Sequence, residues 1–170
     1  MNIPSNIPID WGKKHKELNF SYEDFKDPVK IDEWANCGFD LQRLKIGLHQ
    51  LKEPYSWMSC VDNVINRLHI KNPAYCIHCL TPGNFLPMHS DLYAYYAKQN
   101  NVINLNKIIR IIVFLDDAVP GHLLIVDKDC YSNYQRGDTA HWIGTTPHMA
   151  ANLSQVNRYT LQITGILSHD

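Results

Sequence analysis

Arg158-Tyr159-Thr160-Leu161-Gln162-Ile163-Thr164 alternates without a break, polar at every even position and apolar at every odd one. Successive side chains of a strand point to opposite faces. The polar set therefore lines one side of a wall, and Tyr159, Leu161 and Ile163 form its apolar back, packed on helices. Six more β-rich runs precede this one: Ala74–Leu80, Met88–Tyr96, Ile108–Leu115, Leu123–Asp127, Thr139–Ile143 and His148–Leu153, with Tyr159–Leu167 as the last. Between them stand turn formers such as Pro82-Gly83, Gln99-Asn100-Asn101, Pro120-Gly121 and Arg136-Gly137-Asp138. Short strands at this spacing predict an all-β sandwich or barrel.

The residues ahead of the strands read differently. Leu41, Leu44, Ile46, Leu48 and Leu51 fall mostly at helical spacing, so Asp40–Leu51 is expected to be a helix capped by Asp40. Ser59–His69 is expected to be a second helix, with Ser59 and Asp62 as a capping-box relative and Val61, Val64, Ile65 and Leu68 as its apolar stripe. Residues 1–35, with Pro4, Pro8 and Pro28 among scattered aromatics including Trp11, read as an irregular arm with one or two short strands. The expectation is one domain over 1–170. Residues 1–72 supply the arm and supporting helices, and residues 73–170 a jelly-roll core with the helices packed on one sheet.

Length and charge narrow the function. A chain of 170 residues can bury roughly 68–70% of its unfolded surface and needs no disulfide or structural metal to fold. A net charge of −1 leaves no footprint for nucleic acid or an anionic membrane. Lys13-Lys14-His15-Lys16 reads as a solvated face. No apolar run approaches the roughly 18–20 residues of a membrane span, and residues 1–10 do not look like an export signal. Five cysteines without such a signal imply reduced thiols and a cytoplasmic setting. Cys76-Ile77-His78-Cys79 lacks the second pair of a zinc site, and a strand would point its two thiols to opposite faces.

Nine histidines stand against five arginines. His89 and Asp91, two apart, share a face if Met88–Tyr96 is a strand, with Tyr93 continuing the row. A further histidine from another strand would complete a facial set of two imidazoles and one carboxylate, which leaves open positions on a metal. His148 and His141 both compete for that place. His122 reads as a turn or rim residue and His78 as core, while His15, His49, His69 and His169 read as surface residues. Arg110 interrupts an apolar run. Burying it requires an anion, either a bound carboxylate or a structural partner such as Asp116 or Asp138; otherwise it is an edge-exposed arginine. Tyr93 and Trp142 are candidates for the pocket wall or for core packing.

The pattern His89-x-Asp91 … His148 … Arg158 resembles the Fe(II)/2-oxoglutarate-dependent oxygenases, which are double-stranded β-helix (jelly-roll, cupin-like) enzymes. Pro82–Asp91 resembles the turn and strand leading into that family's metal site. Arg110–Asp116 resembles its central strand as found in prolyl hydroxylases, Trp142–His148 the approach to the distal histidine, and Arg158–Thr164 the last strand. The resemblance covers about residues 75–167. It implies Fe(II) on His89, Asp91 and His148, with His148 preferred over His141. It also implies 2-oxoglutarate held by Arg158 and Thr160, O2 as oxidant, and hydroxylation of a peptidyl or amino-acid side chain, in the manner of prolyl or aspartyl/asparaginyl hydroxylases. Arg110, Tyr93, Trp142 and His141 become candidate cosubstrate or substrate contacts. Many members carry a Tyr near the Pro-Gly turn to hold the cosubstrate, where this chain has Leu80 and Thr81. Two other readings stand beside it: a cupin-type metalloenzyme that does not use 2-oxoglutarate, and an inactive barrel binding module.

Overall fold

The computed structural model describes residues 3–9 and 12–168. Trp11 and His169 lie outside them. Ten strands and three helices follow in order. β1 (Ser21–Asp24), α1 (Pro28–Asn36), β2 (Lys45–Leu51) and α2 (Ser59–Arg67) come first. Then come β3 (Ile70–Leu80), β4 (Phe85–His89), α3 (Ala94–Gln99), β5 (Ile108–Phe114), β6 (His122–Val126) and β7 (Asp129–Tyr131). β8 (Thr139–Ile143), β9 (His148–Asn152) and β10 (Arg158–Leu167) complete the chain.

The strands form two antiparallel sheets, ordered β1-β2-β3-β10-β5-β8 and β4-β9-β6-β7. From β3 onward the chain switches sheet at every connection except the β6–β7 hairpin. The last strand lies between the first and third strands of this set. That winding is a jelly roll, and it brings β4, β9 and β10 to one cavity although they are far apart in sequence.

The larger sheet is buried on both faces, which explains why β5 reads as a nearly continuous apolar run. Its outer face, with Ile77, Ile111, Val113, Leu161 and Ile163, packs on Met58, Val61, Val64 and Ile65 of the α2 region. Its inner face, with Ile112, Phe114, Ala140 and Trp142, meets Leu124 and Val126 of the smaller sheet. Each such fully buried side chain contributes roughly 1.5–3 kcal/mol relative to exposure. The expected apolar back of β10 is thus where the alternation places it.

Four local expectations are corrected. Asp40–Leu51 is not a helix. Asp40 caps only a short 3-10 turn at Leu41–Arg43, and Lys45–Leu51 is β2, hydrogen-bonded between β1 and β3. Ile46, Leu48 and Gln50 line the cavity at period two. Gly47 passes so close to β3 that an added Cβ would sit 3.1 Å from the Cys79 carbonyl oxygen. The open edge of β3 overrode helical spacing. Met88–Tyr96 is not one strand either: β4 ends at His89, and Tyr93, with φ +50°, stands at the head of α3. α2 forms as expected but without the Ser59–Asp62 capping box, since Met58 occupies the cap and makes no side-chain bond there. The arm contains a full helix, α1, whose cap Asp27 accepts from the amides of Val29 and Lys30. Among the described residues, no helix is long and apolar enough to cross a membrane.

Candidate metal centre

β4 and β9 are neighbours, and their register sets His89 directly opposite His148. The two ring centroids are 4.4 Å apart. Asp91, two residues beyond the end of β4, places Oδ2 3.5 Å from His148 Nε2. One ligand atom from each of His89, Asp91 and His148 lies within 4.8 Å of the others. The grouping expected from a strand pleat is therefore reached by cross-strand pairing plus a loop.

The protonation pattern suits a cation. His89 Nδ1 lies 2.7 Å from the Pro87 carbonyl oxygen and His148 Nδ1 3.0 Å from that of Thr146. A carbonyl only accepts, so both rings carry the proton on Nδ1 and keep a lone pair on Nε2. Burial pushes His148 down to about 4, aided by His89 and Arg110 and opposed by Asp91. Burial alone would raise Asp91, but Arg110, His148 and His89 outweigh it and hold the carboxyl below its ordinary value. Asp91 Oδ2 is buried and accepts no hydrogen bond. Its 3.0 Å contact with Arg110 Nη1 is an ion pair without an aligned N–H. Two imidazole lone pairs and one under-satisfied carboxylate fit a divalent cation with open positions.

Neighbours hold the histidines in place. Trp142 lies against His148 with centroids 4.5 Å apart. From the arm, Phe25 meets His89 edge-on at 5.0 Å and Trp34 at 6.0 Å. Neither arm residue was expected near the site, because nothing in residues 1–35 predicts where an irregular segment docks.

The centre opens on a cavity of about 290 Å³ whose wall is the inner face of the large sheet. The register orders that wall in rows. Leu80 pairs with Arg158, Thr160 stands between His78 and Phe114, and Gln162 between Cys76 and Ile112. In the next row Arg110 stands between Thr164 and Trp142. Arg158 is 5% exposed and no carboxylate pairs with it among the described residues. Its Nε donates to the Tyr134 hydroxyl at 3.2 Å, and its Nη2 has no partner. Burial lowers its pKa, partly offset by Tyr134. Thr160 lies beside it on the same face, as the alternation implies.

Arg110 faces the same cavity. Its partners are neither Asp116 nor Asp138 but Asp91 and the Gln162 Oε1, which accepts from Nη1 at 2.5 Å. Trp142 lines the cavity, whereas Tyr93 lies behind Arg110 with its ring 4.9 Å from the guanidinium carbon.

Several histidine expectations change. His141 alternates with Trp142 on β8 and points outward, exposed and away from the cavity. His78 is not core: it lines the cavity and is pushed down to about 3 by burial and by the charges of Arg110 and Arg158. His122 is buried rather than at a rim, with Nδ1 3.3 Å from the Tyr134 hydroxyl. His15 is fully buried, 3.2 Å from Asp116, which Lys16 also meets at 2.9 Å. His49 is half-buried between the Asn19 carbonyl and Tyr55, and His69 is exposed. Cys76 and Cys79 are free, buried thiols on opposite faces of β3 and belong to no metal-capable cluster among the described residues.

No protein-family model and no curated protein matches the chain. Among solved structures it is similar to KdgF from Halomonas sp. (9% identity, 91% of this chain and 92% of that one, TM-score 0.47). It is also similar to a predicted oxalate decarboxylase from Thermotoga maritima (11% identity, 72% and 82%, TM-score 0.45). A third is an RmlC-like cupin protein from Desulfovibrio desulfuricans (16% identity, 75% and 86%, TM-score 0.43). Likenesses this distant carry no argument about function, and the fold stands on its own strand order. The chain is a jelly-roll protein in which His89, Asp91 and His148 form a candidate metal centre.

Proposed function

We propose that the protein is an Fe(II)- and 2-oxoglutarate-dependent oxygenase that hydroxylates a carbon of a small or peptidyl substrate. The observation that carries this reading is Arg158, a buried guanidinium that has no carboxylate partner among the described residues and stands on the wall of the cavity that holds the two-histidine, one-carboxylate cluster. A buried cation without a counter-charge is costly. A dicarboxylate reaching from the metal to Arg158 would supply that charge through two parallel hydrogen bonds.

His89, Asp91 and His148 would hold the iron, which supplies O2 activation when bound. The reaction consumes substrate, O2 and 2-oxoglutarate and yields alcohol, succinate and CO2, with one oxygen atom in the alcohol and the other in succinate. The residues of this chain do the positioning. Arg158 and Thr160 anchor the distal carboxylate. Trp142 and Phe25 fix the imidazoles and keep water from their flanks. Leu48, Ile112 and Leu124 give the cavity its apolar lining.

Adding Fe(II) and 2-oxoglutarate to the anaerobic protein should produce a weak visible charge-transfer band. Admitting O2 should yield succinate above a His148→Ala control. Absence of both would remove the proposal.

One observation favours a second reading, a cupin-type metalloenzyme that uses no 2-oxoglutarate. Arg158 is already held by Tyr134, with its guanidinium carbon 5.6 Å from the Phe114 ring, as a structural arginine would be. Arg158→Gln separates the two. A large rise in the KM for 2-oxoglutarate supports the oxygenase, and unchanged turnover supports the cupin-type enzyme.

A further inference from the structure

Behind the metal cavity lies a second one, a groove of about 470 Å³ between α3 and the large sheet. Tyr75, Tyr93, Tyr95, Tyr96, Gln99 and Thr164 line it. Arg110, Asp91, Gln50 and Gln162 line both cavities, so Arg110 stands in the partition. Among the described residues, Arg110 and Asp91 are the only charged side chains on the groove wall.

Charge balance gives Arg110 a task. On the oxygenase reading, the cosubstrate's distal carboxylate would meet Arg158, and Asp91 and the carboxylate next to the keto group would meet the two positive charges of the metal. Asp91 is the sole carboxylate paired with Arg110 among the described residues, and its charge is drawn to the metal. Gln162 is neutral, and the other acids at the cavity mouth are engaged: Glu23 with Lys26 and Asp24 with Lys45. The loaded site therefore holds one guanidinium without counter-charge, with a side chain only 12% exposed. A single further negative charge completes the set.

We infer that the prime substrate is a monocarboxylate, its carboxylate on Arg110 and its body in the tyrosine-lined groove. This rests on the oxygenase reading above. A carboxylate there would lie next to the candidate metal cluster, since Arg110 Nη1 is 3.0 Å from Asp91 Oδ2. Carboxylate rather than phosphate fits, because one guanidinium with no lysine beside it would leave a dianion in excess. The tyrosine rings offer broad contact surface at low conformational cost, and the Gln99 amide donates to the Tyr95 hydroxyl at 2.6 Å, bracing the groove's outer wall.

The test is binding to the Zn(II)-loaded protein saturated with 2-oxoglutarate, where no turnover occurs. The probes are matched pairs: N-acetyl-tyrosine against N-acetyl-tyrosinamide for a main-chain carboxylate, and N-acetyl-aspartate α-amide against N-acetyl-asparagine α-amide for a side-chain one. In at least one pair the acid should bind about tenfold more tightly than its amide, and the pair that responds tells which carboxylate is read. Arg110→Gln should erase that preference while leaving the affinity for 2-oxoglutarate within about threefold, and Arg110→Lys should restore part of it. Tyr95→Ala, on an exposed side chain, should weaken the acid with metal and cosubstrate binding unchanged. No acid preference in either pair overturns the inference. So does Arg110→Gln weakening 2-oxoglutarate as much as the acid, which would assign Arg110 to the cosubstrate. If 2-oxoglutarate itself does not bind in an Arg158-dependent way, the oxygenase reading fails first and the inference falls with it.

Discussion

Arg158, which opens β10, and Tyr134, in the connection between β7 and β8, form a donor–acceptor pair: the arginine Nε donates to the tyrosine hydroxyl at 3.2 Å. The hydroxyl continues the chain to His122 Nδ1 at 3.3 Å, and His122 Nε2 lies 3.5 Å from the Val156 carbonyl oxygen. The direction is fixed from its end. The carbonyl accepts from Nε2–H, so Nδ1 accepts from Tyr134, so Tyr134 accepts from Arg158. Burial holds His122 below its ordinary pKa, which keeps the ring in the neutral form this requires.

Tyr134→Phe tests the chain. The ring stacks on Phe114 with centroids 3.6 Å apart, so packing survives the change. Losing one hydrogen bond to a charged group costs about 1.5–3 kcal/mol, so thermal stability should fall. The guanidinium is then less well aimed, and the Kd for 2-oxoglutarate should rise about three- to tenfold, by titration of the charge-transfer band. An unchanged Kd would show that Arg158 is aimed without Tyr134.

Metal binding should register as stability. A cation that binds only the folded chain, at about a hundred times its Kd, adds about 2.7 kcal/mol, which for a chain of this size is roughly 5–10 °C in Tm. Zn(II) or Co(II) should produce such a shift in the wild type and none in Asp91→Asn or His148→Ala. Asp91→Asn should also lower the metal-free stability by about 1–3 kcal/mol, because Arg110 then stays buried without its carboxylate. Differential scanning fluorimetry with and without metal reads both.

The barrel and the metal cluster were legible because their signals are local. Short β-rich runs with turn formers between them marked β3, β5, β8, β9 and β10, with clean alternation in β10, and His89, Asp91, His148 and Arg158 lie in or beside such runs. What escaped depends on long-range pairing. β2 carries helical spacing and became a strand because β3 offered an open edge. The arm's Phe25 and Trp34 reach His89 through a segment with no period. His78 sits on an apolar strand and looked like core until the register put it opposite Thr160. Asp91 reached the site for a reason other than the expected one, in a loop that ends at the left-handed Tyr93 rather than on a pleat.

Gly137 ties the arm to the barrel. Its φ is +90°, and a Cβ there would stand 2.5 Å from the Ile7 carbonyl oxygen. The Ile7 amide donates to the Gly137 carbonyl at 2.8 Å, and the Thr139 amide to that of Ser5 at 2.9 Å. Gly137→Ala thus combines a strained backbone with a steric clash. The expected loss is about 2 kcal/mol or more, and hydrogen exchange should speed up at the Ile7 and Thr139 amides while β10 stays protected.

Acid should weaken the metal-free protein through His78. Its folded pKa is about 3 against an ordinary 6.5, with burial the largest cause, followed by Arg110 and Arg158. Between these values the unfolded chain takes up a proton that the folded chain refuses, so stability is full above about pH 6.5 and declines as pH falls. The slope for one such group reaches about 1.4 kcal/mol per pH unit. His148, lowered to about 4, adds in the same direction. His78→Gln keeps a polar side chain on the cavity wall and removes one titration. It should make the loss of stability between about pH 6.5 and 5 shallower than in the wild type, by urea denaturation at each pH, with no change in slope above pH 7. Saturating 2-oxoglutarate should flatten the wild-type curve as well, because a dianion bound beside the ring makes its protonation easier. Parallel curves for wild type and His78→Gln would mean that the imidazole is protonated in the folded state as readily as in the unfolded one. His78 would then face bulk water rather than the two guanidinium groups of a closed cavity.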